Sequence, residues 1–83
     1  MNISMDKIKM YGTTWCPDCA RVKQVFARFK VPYDWINIED DKAAAAYVQK
    51  VNGGFKSVPT IVFPDGSVLV EPSNAELEKK LKA

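Results

Sequence analysis

Any chemistry in this 83-residue chain centres on Cys16 and Cys19, its only two cysteines, set in the stretch TTWCPDCARVK. Such a pair has four possible uses. A structural zinc site takes about four ligands, whereas this chain offers two cysteines and no histidine. A site within one chain would have to recruit carboxylates. A disulfide between residues three apart closes almost no loop, so it removes little entropy from the unfolded chain. A cofactor held between two chains, such as an iron–sulfur cluster, stays open on the residues alone. Thiol–disulfide exchange explains the most. Pro17 suits the first position of a helix, where its missing N–H has no intrahelical partner to lose. Cys16 then lies over the unpaired N–H groups of the helix start, where they and the helix dipole stabilise a thiolate. Cys19 lies one turn along, within reach of a mixed disulfide on Cys16. On this reading Cys16 is the nucleophile and Cys19 the resolving thiol.

The pair needs a strand before it and a sheet around it. Lys7 to Tyr11 alternates lysine with Ile8 and Met10 and reads as a short strand. After Pro17, the residues Val22, Val25, Phe26 and Phe29 recur at helical spacing and predict one buried face. Pro32 disfavours a helical residue before it, and Trp35 to Ile38 reads as a second strand with Ile36 and Ile38 on one side. DDKAAAAYVQKV is a helix by propensity, acidic at its start, with Lys50 near its end and Tyr47, Val48 and Val51 as its inner stripe. Asn52 to Gly54 (NGG) stops it. A strand follows Pro59, Pro64 to Gly66 marks a turn, and SVLV returns, so the last two strands form a hairpin. Ser73 to Glu76 (SNAE) matches a capping box, and Leu77 and Leu81 give a final helix its inner face. The order is β-α-β-α-β-β-α, an α/β arrangement whose first crossover is parallel and right-handed.

Composition narrows the function classes. The length argues for one small domain over residues 1–83 with a modest core. A hydrophobic share of 47% with 27% charged residues is a globular balance. A net charge of +2 is too weak to imply nucleic-acid binding. No apolar run approaches the roughly 18 residues of a membrane span, and the start, MNISMDKIKMYG, lacks the apolar segment of a secretory signal. The expectation is a soluble cytoplasmic protein, where a thiol pair is kept mostly reduced and reacts instead of stapling.

The segments MYGTTWCPDCARVK, NGGFKSVPTIVF and DGSVLVEPSNAEL, in that order, resemble the glutaredoxin branch of the thioredoxin fold. Within that branch the chain is most similar to the mycoredoxins, small actinobacterial redoxins. IEDDKAAAAYVQKVNGG also looks like their middle helix. The resemblance implies a four-stranded mixed sheet flanked by three helices. It implies that Pro59 is cis and faces the Cys16 sulfur, where Val58 offers backbone hydrogen bonds to a bound thiol or peptide. Trp15 and Pro17 would border the substrate, and Ser73 and Asn74 sit where glutaredoxins bind a glutathione carboxylate. Arg21 and Lys23 could steer anionic thiols or simply line a solvated helix face, and Lys56 could meet a substrate carboxylate. The chain departs from the family at three points. Thr13 stands where many glutaredoxins carry lysine, EPSN replaces a Gly-Gly-x-Asp stretch, and Pro17-Asp18 replaces the Gly-Tyr usual in mycoredoxins.

The expected function is therefore reduction of mixed disulfides between proteins and a small thiol, mycothiol or glutathione. No cofactor is bound in this reading, no metal, nucleic acid or membrane is engaged, and the protein is a monomer served by the small thiol and its reductase. One rival is a thioredoxin-like reductase of protein disulfides. Another is an electron donor to ribonucleotide reductase, although the aromatic C-terminal motif of those redoxins is missing. The rival from a different class is an iron–sulfur carrier.

Overall fold

The computed structural model describes residues 7–82. Residues 1–6, the first half of the segment read as lacking a secretory signal, lie outside the described residues, as does residue 83 at the end of the expected domain.

The element order is β1 (Ile8–Gly12), α1 (Pro17–Arg28), β2 (Tyr33–Asn37), α2 (Lys42–Val51), β3 (Thr60–Val62), β4 (Val68–Val70) and α3 (Asn74–Lys82). The strands form one mixed sheet in the order β2-β1-β3-β4. β1 runs parallel to β2, with Met10 opposite Trp35, and antiparallel to β3, with Met10 opposite Ile61. β3 and β4 are the expected hairpin. The α/β fold and its β-α-β-α-β-β-α order are those the sequence predicts.

Alternation along β1 sets the two faces. Ile8 and Met10 point to the side covered by α1 and α3, where Val22, Val25, Phe26, Ile61 and Leu77 complete the main core. Tyr11 points the other way, beside a smaller cluster of Ile38, Ala44 and Val48 under α2. Helix ends follow local chemistry. Ser73 and Glu76 form the reciprocal capping box, each side chain accepting the other's backbone N–H at 3.1 and 2.9 Å. At the end of α2 the chain turns left-handed at Gly53, and the Gly54 N–H reaches the Gln49 carbonyl at 2.7 Å.

Two boundaries differ from the sequence reading. β2 spans Tyr33–Asn37 instead of Trp35–Ile38, because Tyr33 and Asp34 pair with Ile8 and Lys9 of β1. Ile38 follows the strand yet remains buried on the α2 side. The inner stripe of α2 is Ala44 and Val48, with Tyr47 half-buried, whereas Val51 is 39% exposed. A stripe through the larger side chains misses Ala44, which is buried in one cluster with Ile38 and Val48.

Candidate active site

Cys16 is itself the N-cap of α1. Its backbone is extended, Pro17 follows at the first helical position, and the Cys16 Sγ accepts the Cys19 N–H at 3.3 Å. One of the N–H groups that every helix start leaves without a partner is thus spent on sulfur. The opposite side of Cys16 meets the loop before β3. The Cys16 thiol points to the Val58 carbonyl at 3.9 Å, and the Val58–Pro59 bond is cis. Cys16 is 8% exposed and Cys19 only 1%. Both are unbonded thiols in this structure. Burial, with a hydrogen bond to Cys16, pushes the Cys19 thiol up to about 12.

The loop that faces Cys16 is held from two sides. Thr60 Oγ1 donates to the Ser57 carbonyl at 2.7 Å, and Asn52 Nδ2 donates to Thr60 Oγ1 at 3.1 Å and to the Val48 carbonyl at 2.9 Å. On the other side the Glu71 N–H donates to the Pro59 carbonyl at 2.9 Å. Asn52 and Thr60 were not foreseen as part of the site. Asn52 was read only as a helix stop, and nothing in the sequence signals that its side chain bridges α2 to β3.

Beside this loop lies a groove of about 540 Å³. Val58, Ile38 and Trp15 give it apolar walls, and Glu39, Lys42 and Lys56 bring charge. Trp15 is 69% exposed, and its Nε1–H donates to Glu39 Oε2 at 2.9 Å, which fixes the indole at the rim. Thr13 also borders the groove, but its Oγ1 is buried without a hydrogen-bond partner.

The structure therefore brings Trp15, Cys16, Pro17, Cys19, Val58 and Pro59 together. It does not place Ser73 and Asn74 in the groove. Ser73 is engaged in its capping box, and Asn74 Oδ1 accepts from Arg21 Nη1 at 2.6 Å. Arg21 also donates to the Pro72 carbonyl at 2.8 Å and lies 3.7 Å from the exposed Asp18 carboxylate. Arg21 is thus a strap between α1 and the start of α3. Lys23 is likewise no solvated surface lysine, for its ammonium sits 3.6 Å from the centre of the Trp35 ring. Among the described residues no group of three or more His, Cys, Asp or Glu side chains is placed to hold a metal ion, and no helix is long and apolar enough to cross a membrane.

A family model described as glutaredoxin matches residues 8–69. A candidate glutaredoxin of Mycobacterium tuberculosis is 43% identical over 74 residues, covering 89% of this chain and 88% of that protein. Mycoredoxin 1 of Corynebacterium glutamicum is 33% identical over 79 residues, covering 95% of this chain and 98% of that protein. Among solved structures, a variant of a thioredoxin-like protein superposes with a TM-score of 0.79 at 29% identity, covering 90% of this chain and 99% of the other.

Proposed function

The chain belongs to the glutaredoxin family and is a thiol–disulfide oxidoreductase, and on that footing we propose that Cys16 is its nucleophile, Cys19 its resolving thiol, and mycothiol the small thiol it handles. The Cys16 thiolate attacks the small-thiol sulfur of a mixed disulfide. A Cys16–small-thiol disulfide forms, and the client protein's sulfur leaves with the electron pair and takes up a proton. A second small thiol, as thiolate, then attacks the sulfur bound to Cys16 and regenerates the enzyme. Alternatively Cys19 attacks Cys16, releasing the small thiol and leaving an internal disulfide.

The observation that carries this reading is the position of the Cys16 sulfur as helix cap, 3.3 Å from the Cys19 N–H. A thiolate there gains an N–H donor and the positive end of the helix dipole. Val58 and Trp15 are proposed to seat the small thiol, with its sulfur at Cys16 and its body in the groove. The likeness to a mycoredoxin supports mycothiol. So does Thr13, which puts no cation where many glutaredoxins carry a lysine, and so does the engagement of Asn74 by Arg21. In this reading one domain acts as a monomer in the cytoplasm without a bound cofactor. Ser73 and Asn74 are kept as a second contact only for a thiol large enough to displace Arg21.

The test loads Cys16 of a Cys19→Ser variant with a small-thiol disulfide and compares its reduction by mycothiol, glutathione and bacillithiol. At least about a tenfold preference for mycothiol is expected, the discrimination that about 1.4 kcal/mol of groove contacts gives. Equal rates, or a preference for glutathione, would overturn the choice of thiol. A second reading, a two-thiol reductase of protein disulfides, is favoured by the likeness to the thioredoxin-like protein. It requires Cys19 and a different substrate, so reduction of a protein disulfide by the parent but not by Cys19→Ser, with mixed-disulfide turnover near background in both, would select it.

A further inference from the structure

Cys19 poses a problem that the proposed function leaves open. To resolve a mixed disulfide on Cys16 it must become a thiolate, yet it is the more buried of the two sulfurs and its thiol is pushed up to about 12. Its surroundings are defined by three elements. From β1, Gly12 contributes no side chain, and the place a Cβ would occupy lies 2.5 Å from the Cys19 sulfur. From β2, the edge of the Trp35 ring comes within 2.9 Å of the same place, so sulfur and ring edge share the space above Gly12. From α1, Lys23 is one turn beyond Cys19 on the same helix face. Its ammonium is held 3.6 Å from the Trp35 ring centre. Among the described residues, the titratable or charged side chains that act on Cys19 are Cys16, which disfavours its thiolate, and Lys23, which favours it, as does the Thr13 backbone.

We propose that Lys23, clamped over Trp35, is a positioning residue for the resolving step, supplying the fixed positive charge toward which the Cys19 thiolate develops. The inference rests on the reading that Cys16 carries the mixed disulfide. In the step, Cys19 gives its proton to water and its sulfur attacks Cys16. The Cys16–Cys19 bond forms, the bond from Cys16 to the small thiol breaks, and the small thiol leaves with the electron pair. No proton passes through Lys23 in this step. Its charge favours the state in which Cys19 is anionic, and the Trp35 face keeps that charge from swinging into solvent, where it would be screened.

The lysine's location explains why Gly12 and Trp35 matter together. A side chain at position 12 would separate the sulfur from the ring that holds the cation. A half-buried lysine on an indole is also a poor steering group for substrates, since its charge is already directed inward.

The test uses reduced full-length protein and dithiodipyridine, a disulfide that is uncharged near neutral pH. The first pyridinethione is released when Cys16 is captured, the second when Cys19 resolves it. Both are followed by stopped-flow absorbance across a range of pH in Lys23→Met, Lys23→Arg and the parent. Without the cation the thiolate fraction of Cys19 falls about tenfold per pKa unit, partly offset by about threefold greater nucleophilicity of a more basic thiolate. The ratio of second-phase to first-phase rate constants is therefore expected to fall in Lys23→Met at each pH below 9, by about threefold for each pKa unit that the cation contributes, and to recover in Lys23→Arg. An unchanged ratio in Lys23→Met would overturn the proposal, as would an equal loss in Lys23→Arg, which would point to packing of the lysine stem. A mixed disulfide mapped to Cys19 in the parent would instead break the functional reading on which the proposal rests.

Discussion

Cys16→Ser is expected to remove mixed-disulfide turnover by about a thousandfold or more, the order of loss when a nucleophile that acts with its partners as a unit is removed, while leaving the fold at least as stable. The two halves of this expectation come from the same geometry. A serine hydroxyl does not ionise near neutral pH, so the helix start has no anion to stabilise and no nucleophile to offer. Serine is, however, among the preferred N-cap residues, and its oxygen can take the Cys19 N–H that the sulfur now accepts at 3.3 Å. Thermal unfolding should show a midpoint equal to or above the parent's, while release of the small thiol from a mixed disulfide, followed by chromatography, falls to background. Retention of a tenth of the parent activity would contradict the assignment. A folded but inactive variant separates a chemical role from a packing role, which Cys16→Ala, lacking any cap, would not do.

Gly12→Val is expected to destabilise the reduced protein by about 3 kcal/mol, the upper part of the usual range for overpacking a well-filled core. Even the first atom of a side chain there would lie 2.5 Å from the Cys19 sulfur and 2.9 Å from two atoms of Trp35. Neither neighbour yields readily. Cys19 is fixed by the first turn of α1, whose start is pinned by the Cys16 cap, and the indole is a rigid plate that carries Lys23 on its face. Gly12→Ala should show the same effect at smaller size, about 1 kcal/mol. Urea unfolding of parent and both variants under reducing conditions measures this. Unfolding midpoints equal to the parent's would show that the space above Gly12 is looser than described.

Much of this architecture was legible in the sequence because it is written in local rules. The alternation of Ile8 and Met10, proline at the first turn of α1, NGG after α2, the PDG turn and the SNAE box each fix an element end through two to five neighbouring residues. What escaped is non-local. Ala44 lies inward in a cluster with Ile38 and Val48, a fact of packing that four alanines in a row cannot announce. Lys23 and Arg21 read as steering charges or a solvated face, yet their long side chains reach Trp35 and the start of α3. Asn52 and Thr60, eight residues apart, became partners only once α2 and β3 had docked. For the candidate site, the cysteines could be named from motif and spacing, and the Val58-Pro59 pair from the resemblance to the family. The groove's charges and the Trp15–Glu39 clasp needed the fold.

The central claim is a division of labour between the two sulfurs, and the pH dependence of alkylation tests it most directly. Reduced protein is treated briefly with iodoacetamide at intervals from pH 6 to pH 9, and the modified cysteine is identified by mass mapping. Cys19, its thiol pushed up to about 12 by burial and by its hydrogen bond with Cys16, stays protonated through this whole range, so it presents almost no thiolate to the reagent. The expected result is modification of Cys16 alone at every pH tested, with Cys19 labelled only after denaturation. Labelling of Cys19 first, or of both cysteines at equal rates, would contradict the account.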